Sequence, residues 1–234
     1  MISHYPKLIT DGLVLCLDAG NKTSYSGTGN TWFDLSGKKY HATLYNSPAF
    51  LNGYMQFRSA TTNSKYAVST FPESVLRDTI SQWTIEVVFK YISTPSSDEA
   101  VVAGRLGCHG GIYLYQTPAI YHAIKTNQCW TGAVNTLVNS ITANKIYHST
   151  MTYNNGTVKH YLNGVKAVND SILDINTYSF YGYSTSFYIG GIPSGNPELY
   201  VTNIDLAIVR CYTRELSSSE VLDNFTMSKG RFSL

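Results

Sequence analysis

Residues 147–167, reading YHSTMTYNNGTVKHYLNGVKA, constrain the fold more than any other part of the chain. Tyr147, Ser149, Met151 and Tyr153 alternate onto one face of a first strand. Asn154-Asn155-Gly156 then makes a turn in which glycine, and less readily asparagine, takes φ > 0. Val158, His160 and Leu162 alternate with Lys159 and Tyr161 along a second strand. Asn163-Gly164 ends it with the dipeptide best suited to a type I′ hairpin, whose central residues both need positive φ. Val165 and Ala167 begin the return. A meander with one apolar face is stable only when a second sheet covers that face. The stretch therefore predicts a sandwich, and the rest of the chain must supply the other layer.

It has the strands to do so. Trp83, Ile85, Val87 and Phe89 face one way, with Thr84, Glu86, Val88 and Lys90 opposite. Residues 13–19, LVLCLDA, read as a buried strand up to Asp18. Shorter strand runs lie at 42–45, 54–57, 66–68, 100–103, 111–115, 120–124, 186–190 and 204–212, between loops rich in Gly, Ser, Asn and Thr. Helix signals are scarce. The exception is Ser217-Ser218-Ser219-Glu220, a capping box followed by Val221, Leu222 and Phe225 at helical spacing. It predicts one short helix over about 217–228. No Pro/Gly linker divides the 234 residues. The expectation is one domain over 1–234, an all-β jelly-roll sandwich of two antiparallel sheets. Its first strand is expected near its last, which brings Cys16 close to Cys211.

Composition bears on the surface. Only 14% of residues are charged, the net charge is +2, and there are 19 tyrosines. No Lys/Arg run supplies an electrostatic footprint for nucleic acid. The apolar run at 13–17 is too short to span a bilayer, and residues 1–12 lack a basic and then apolar leader. Synthesis in the cytosol without membrane insertion is expected. Cys16, Cys108, Cys129 and Cys211 are spread without a CxxC and are expected to be reduced. Cys108-His109 with Cys129 lacks an evident fourth zinc ligand.

Four blocks, in order along the chain, resemble the laminin-G-like, concanavalin A-like lectin/glucanase superfamily. They are LCLDA (15–19) with SYSGTGNTWFDLSG (24–37); WTIE (83–86); TYNNG (152–156) with YLNG (161–164); and YIGG (188–191) with IVRCY (208–212) and LSSSEV (216–221). The first block, with Asn224-Phe225 and Lys229-Gly230-Arg231-Phe232, is similar to the version found in virion proteins of tailed bacteriophages. That resemblance implies a virion structural or decoration protein, on capsid or tail fibre, made in the host cytoplasm. Its partners would be other virion proteins, with a homo-oligomer as one form. The alternative reading is an adhesion module recognising host-surface glycans. Residues 227–234 are expected to form a tail that docks on a neighbouring subunit.

Sandwich glucanases of this superfamily carry E-x-D-x-x-E on one strand, which puts two carboxylates on one face for acid and nucleophile roles. The motif is missing here, and Glu86 is the only acid on its strand. Glu86 is expected to be solvated or paired with Lys90, and the chain is expected not to be an enzyme. The resemblance also brings calcium, bound by loop oxygens. Asp18, Asn21, Asp34 and Asp205 are the oxygen donors at hand. Their ordinary reading is turn capping, and no metal residue is assigned.

Aromatic residues are the remaining candidates. Tyr113 and Tyr115 share a strand face, Tyr121 lies on the next strand, and Trp130 follows in a loop. Tyr178, Phe180, Tyr181 and Tyr183 crowd a loop rich in Gly and Ser. Tyr and Trp offer an apolar face and a polar edge, which suits sugar rings and subunit contacts alike. Tyr113, Tyr115, Tyr121 and Trp130 are the expected glycan or subunit contacts.

Overall fold

The computed structural model describes residues 7–58, 64–72, 82–94, 100–105, 110–115, 117–124, 134–173, 186–193 and 202–232. Their strands form two sheets, and every pairing is antiparallel. The nine-stranded sheet centres on β7 (Gln82–Tyr91) between β12 (Ile146–Asn154) and β17 (Asn203–Tyr212). Beyond β12 lies β13 (Thr157–Leu162), which pairs both β14 (Val165–Lys166) and β15 (Ser171–Ile172). On the other side of β17, β5 (Tyr54–Arg58) takes its first half and β1 (Leu13–Asp18) its second. β4 (Ala49–Leu51) pairs β5 at that margin.

The eight-stranded sheet begins with β11 (Val134–Ser140), β10 (Ala119–Ile124), β9 (Gly110–Leu114) and β8 (Ala100–Arg105). It continues through β16 (Phe187–Ile189), β6 (Tyr66–Ser69), β3 (Ala42–Tyr45) and β2 (Thr31–Trp32).

The meander forms as its turns dictate. Asn155 and Gly156 take φ 43° and 90°, and Asn163 and Gly164 take 51° and 77°. Both are two-residue loops with positive φ at both positions, which matches the twist of the flanking strands. The inward residues Ile85, Val87, Phe89, Met151, Tyr153 and Val158 meet Ile112, Leu114, Ile120, Ile124 and Phe187 of the other sheet in one core. Trp83 stacks on Tyr153 at 5.2 Å and 21°, a contact worth about 1 kcal/mol beyond the area it buries. β1 pairs the last strand, with Leu15 opposite Cys211 and Cys16 opposite Arg210. Cys211 belongs to the core between the sheets. Cys16 points the other way, toward Arg210. The two cysteines are strand neighbours on opposite faces, so no disulfide can join them without moving the backbone.

The helix α1 runs Ser218–Phe232, four residues past its predicted end. Its start is the capping box: Glu220 N–H donates to Ser217 Oγ at 3.3 Å, and Ser217 N–H donates to Glu220 Oε2 at 2.8 Å. Its end is set by packing. Phe232 joins Val88, Ala207 and Ile208 on the outer face of the nine-stranded sheet. That burial outweighs the unfavourable Gly230 within the last turn. Of the expected tail at 227–234, residues 227–232 are therefore the end of α1, held through Phe232 on the chain's own sheet, and 233–234 lie outside the described residues. The helix buries Val221, Asn224, Ser228 and Phe232, spaced as one helical face. A side chain at Gly164 would sit 2.7 Å from the Phe225 ring, so this hairpin turn needs glycine for packing as well as for φ.

Candidate functional site

The two sheets have outer faces of opposite kind. On the nine-stranded sheet, Glu86 is fully buried beneath α1. It forms an ion pair with Arg210, its Oε2 accepts from Asn224 Nδ2 at 2.9 Å, and His148 Nε2 lies 3.4 Å away. Asn224 also donates to the Tyr212 hydroxyl at 3.0 Å and accepts from Ile9 N–H at 3.0 Å. Burial alone would raise the Glu86 pKa; Arg210, His148 and Asn224 overcome it and hold the carboxyl down to about 2. Burial pushes the Tyr212 phenol up, and the Glu86 charge adds to that. Glu86 is thus neither solvated nor matched to Lys90. Period-2 alternation correctly separates it from Ile85 and Val87, but the helix that covers that face is not a property of the strand. This buried cluster anchors α1 and the N-terminal segment; it is closed to ligands.

The oxygen donors considered for calcium are occupied. Asp18 accepts from Arg231 through both oxygens at 2.5 and 2.6 Å. Asn21 Oδ1 accepts from Thr23 N–H at 2.9 Å. Asp34 takes the N–H groups of Cys16, Ser36 and Tyr40 and the Ser36 hydroxyl, at 2.7–3.1 Å. Asp205 pairs with Arg58 at 2.5 and 2.7 Å. Among the described residues no three His, Cys, Asp or Glu side chains gather to hold a metal. Cys108, His109 and Cys129 lie outside the described residues.

The outer face of the eight-stranded sheet carries tyrosines. Tyr45 of β3 is opposite Tyr66 of β6, and their rings stack at 4.8 Å and 10°. Tyr188 of β16 meets Tyr66 edge-on at 6.4 Å. Tyr113 of β9 is opposite Tyr121 of β10, and Tyr115 lies 4.3 Å from Tyr121, ring centre to ring centre. Tyr113, Ala123 and Ile192 form a small outer cluster against which Tyr115, Tyr121 and Tyr188 pack. The row crosses the sheet from β3 to β10.

Its centre is floored by glycine. Gly104 and Gly111 are opposite one another, and a side-chain carbon on Gly104 would stand 2.7 Å from the Gly111 Cα. A carbon on Gly111 would lie 3.1 Å from the Tyr113 ring. With no side chain there, Tyr113 lies down over the glycines and is only 1% exposed. Of the predicted contacts, then, Tyr113 is floor, while Tyr115 and Tyr121 are half-buried at the surface. Trp130 lies outside the described residues, as do Tyr178, Phe180, Tyr181 and Tyr183.

Sequence reasoning missed Tyr45, Tyr66 and Tyr188. Each sits at an outward position of a short strand, a signal that was readable; the pairing of β3, β6 and β16 across long sequence gaps was not. Tyr45 is 41% exposed and walls a cleft of about 400 Å³ with Thr43, Val68, Thr70, Pro72 and Ser186. Partial burial, and then the neighbouring Tyr45 and Tyr188, push the Tyr66 phenol up, so it stays a neutral donor at physiological pH. The outward positions of β3, β6, β9, β10 and β16 carry no charged side chain. An uncharged face with stacked rings and flanking hydroxyls can hold a flat, hydroxyl-rich ligand by stacking and hydrogen bonds.

No curated protein matches the chain. Solved structures do. A mutant of Trypanosoma rangeli sialidase displaying trans-sialidase activity superposes with a TM-score of 0.66 at 18% identity, over 95% of this chain and 34% of that one. The same sialidase bound to the inhibitor DANA gives 0.65 at 17% identity, over 95% and 35%. The binding domain of Paraclostridial Mosquitocidal Protein 1 gives 0.64 at 17% identity, over 94% and 53%. The chain spans about a third of the length of the sialidases it matches.

These structures correct one expectation. The reading that the chain is not an enzyme rested on the missing E-x-D-x-x-E motif, yet the fold is shared with sialidases, which are enzymes. The absence of one strand motif does not exclude glycosidase chemistry from this fold. At such identities the likeness shows the fold alone. No helix among the described residues is long and apolar enough to cross a membrane. A family model described as the concanavalin A-like lectin/glucanases superfamily, of the laminin G type, matches residues 61–222. The chain, a β-sandwich of two antiparallel sheets with a C-terminal helix, belongs to that family.

Proposed function

We propose that the chain is a lectin-like recognition domain that binds a glycan on the tyrosine row of the eight-stranded sheet. The observation that carries this is the stack of Tyr45 on Tyr66 beside the cleft lined by Thr43, Thr70 and Ser186. A pyranose presents C–H groups on its face and hydroxyls on its edge, so it needs a ring to stack on and donors at the rim. The lack of charged side chains at the outward positions of β3, β6, β9, β10 and β16 suits a neutral sugar. The likeness to a toxin's binding domain supports a recognition role.

We further propose that the domain is displayed on a tailed-bacteriophage particle, among other virion proteins, where it meets host-surface glycans. The sequence blocks at 15–37 and 224–232 support this reading.

Binding of the purified chain to an array of bacterial surface glycans tests the first proposal, with Tyr45→Ala and Tyr66→Ala beside the parent. At least a tenfold loss of binding in each, with the fold kept, is expected. Binding unchanged in both variants would remove the tyrosine face from the site. Mass spectrometry of purified particles tests the second: a stoichiometric virion component is expected, and absence from particles would sink it.

A further inference from the structure

A polar chain crosses the apolar core near one edge of the sandwich. Ser149 Oγ of β12 lies 2.8 Å from His122 Nε2 of β10. His122 Nδ1 lies 3.2 Å from His160 Nδ1 of β13. His160 Nε2 lies 2.9 Å from Ser171 Oγ of β15, which is 2.8 Å from Thr136 Oγ1 of β11. Ser149, His122 and His160 are fully buried. Three of the four links, His122 to Ser149, His122 to His160 and Thr136 to Ser171, run from one sheet to the other.

Proton counting shows what this arrangement demands. A neutral imidazole has one N–H and one lone pair. Between two Nδ1 atoms at 3.2 Å there is room for one hydrogen. If His160 Nδ1–H donates to His122, then His122 Nε2–H donates to Ser149, and the Ser171 hydroxyl donates to His160 Nε2. If the direction reverses, every group is again satisfied. With two neutral rings the chain is complete either way. One extra proton creates a cation between the sheets. A second sets two N–H groups against each other, and the central bond is lost.

Among the described residues little nearby offsets such a charge. The charged groups that act on His160 are Asp170 and Lys166, which are paired with each other at 2.7 Å and pull in opposite senses. The titratable group that faces His122 is His160 itself, and its partner on β9 is the apolar Ile112.

We propose that the line from Ser149 through His122, His160 and Ser171 to Thr136 is an acid-sensitive latch, which ties the two sheets at the β11 and β15 edge while both imidazoles are neutral and releases that edge on acidification. Burial pushes both rings down, His122 well below its ordinary value and His160 to about 4. A folded pKa lying below the open-state value near 6.5 fixes the sign. The latch is fully effective above about 6.5, and it weakens as pH falls from there toward 4, because the open form takes up protons that the closed form refuses. For His160 alone the equilibrium moves on the order of a hundredfold toward opening between pH 7 and pH 4.

The test is NMR on the full chain from pH 7 to pH 4, reading imidazole nitrogens and amide exchange together. Two of the six histidines are expected to stay neutral to about pH 5. Amides of β11 and β15 should then lose protection before those of β7 and β17 as the two rings titrate. In Ser171→Ala, which keeps both rings, that edge should exchange faster at pH 7 and respond less to acid. Titration of His122 and His160 near the ordinary value, or β11 and β15 opening only with the whole domain, would overturn the latch. The wild-type reading decides the matter even where a variant fails to fold.

Discussion

On the outside of the nine-stranded sheet, Glu86 and Arg210 lie in a buried site roofed by α1. On the outside of the eight-stranded sheet, Tyr45, Tyr66 and Tyr188 stand at the surface with no charge among the outward positions of their strands. Both sheets bury a mainly apolar inner face, crossed near one edge by the line from Ser149 to Thr136. They differ in what is done with the other side. A sheet covered by its own helix can keep a buried ion pair, because Asn224 and Arg210 supply the partners that water would otherwise provide. A face left to tyrosine keeps apolar area near water without charge, which suits reversible recognition. Under the proposed function the contrast gives stability to one side and recognition to the other, and it can be attacked from either.

The largest expected effect comes from the helix side. Arg210→Leu leaves the Glu86 carboxylate buried and without its cation, which should cost about 3–5 kcal/mol in urea unfolding. The companion Glu86→Gln/Arg210→Leu variant should recover much of that loss, since no lone charge remains. The Glu86 charge also sets an acid limit. Its folded pKa of about 2 lies below the unfolded value near 4.5, so its contribution is present above pH 4.5 and is lost as pH falls toward 2. Urea midpoints measured down through that window should fall in the parent. They should fall less in the double variant. Equal slopes would mean that the ion pair does not govern this face.

Phe232→Ala comes next. The ring is 6% exposed and seats the end of α1 against Val88, Ala207 and Ile208. Its removal should cost about 3 kcal/mol. The nearby pair of Arg231 with Asp18 is partly solvated, at 38% and 13% side-chain exposure, and Arg231→Gln should cost about 0–1 kcal/mol. If Phe232→Ala left stability unchanged but abolished association with other chains, the tail would be an interface after all. Ser217→Ala, which removes the N-cap acceptor, should cost about 1 kcal/mol by the same measurement.

How far the sequence could be read follows from the range of each interaction. The hairpin at Asn163-Gly164, the alternation from Trp83 to Phe89 and the capping box at Ser217 are local, and each predicts its element from a few adjacent residues. The helix end at Phe232 was missed because tertiary packing, not propensity, holds it. Glu86 was misread for the same reason: alternation gives its face, but its cover comes from residues more than 120 positions away. Tyr113 and Tyr121 were found through β9 and β10, which are close in sequence. Tyr45, Tyr66 and Tyr188 come together only through the order β3, β6, β16, which no short-range pattern encodes. The burial of Tyr113 depends on the glycine pair at 104 and 111, a juxtaposition across two strands.

On the tyrosine face the smallest expected change in stability is at Tyr45, and there the comparison is sharpest. Its ring is 41% exposed and gains mainly from stacking on Tyr66. Tyr45→Ala should therefore cost no more than about 1 kcal/mol. Tyr113→Ala, on the same face, empties a position that is 1% exposed above the glycine floor and should cost about 3 kcal/mol. Two tyrosines on one surface thus separate by burial: one is expected to be expendable to the fold and free to serve the proposed ligand, the other to hold the surface flat. Urea unfolding of the two variants, run beside the glycan array, reads both properties at once. Loss of binding in Tyr45→Ala at nearly full stability keeps recognition on this face. A loss near 3 kcal/mol there would make the tyrosine row a second structural layer, and the division between the two sheets would fail.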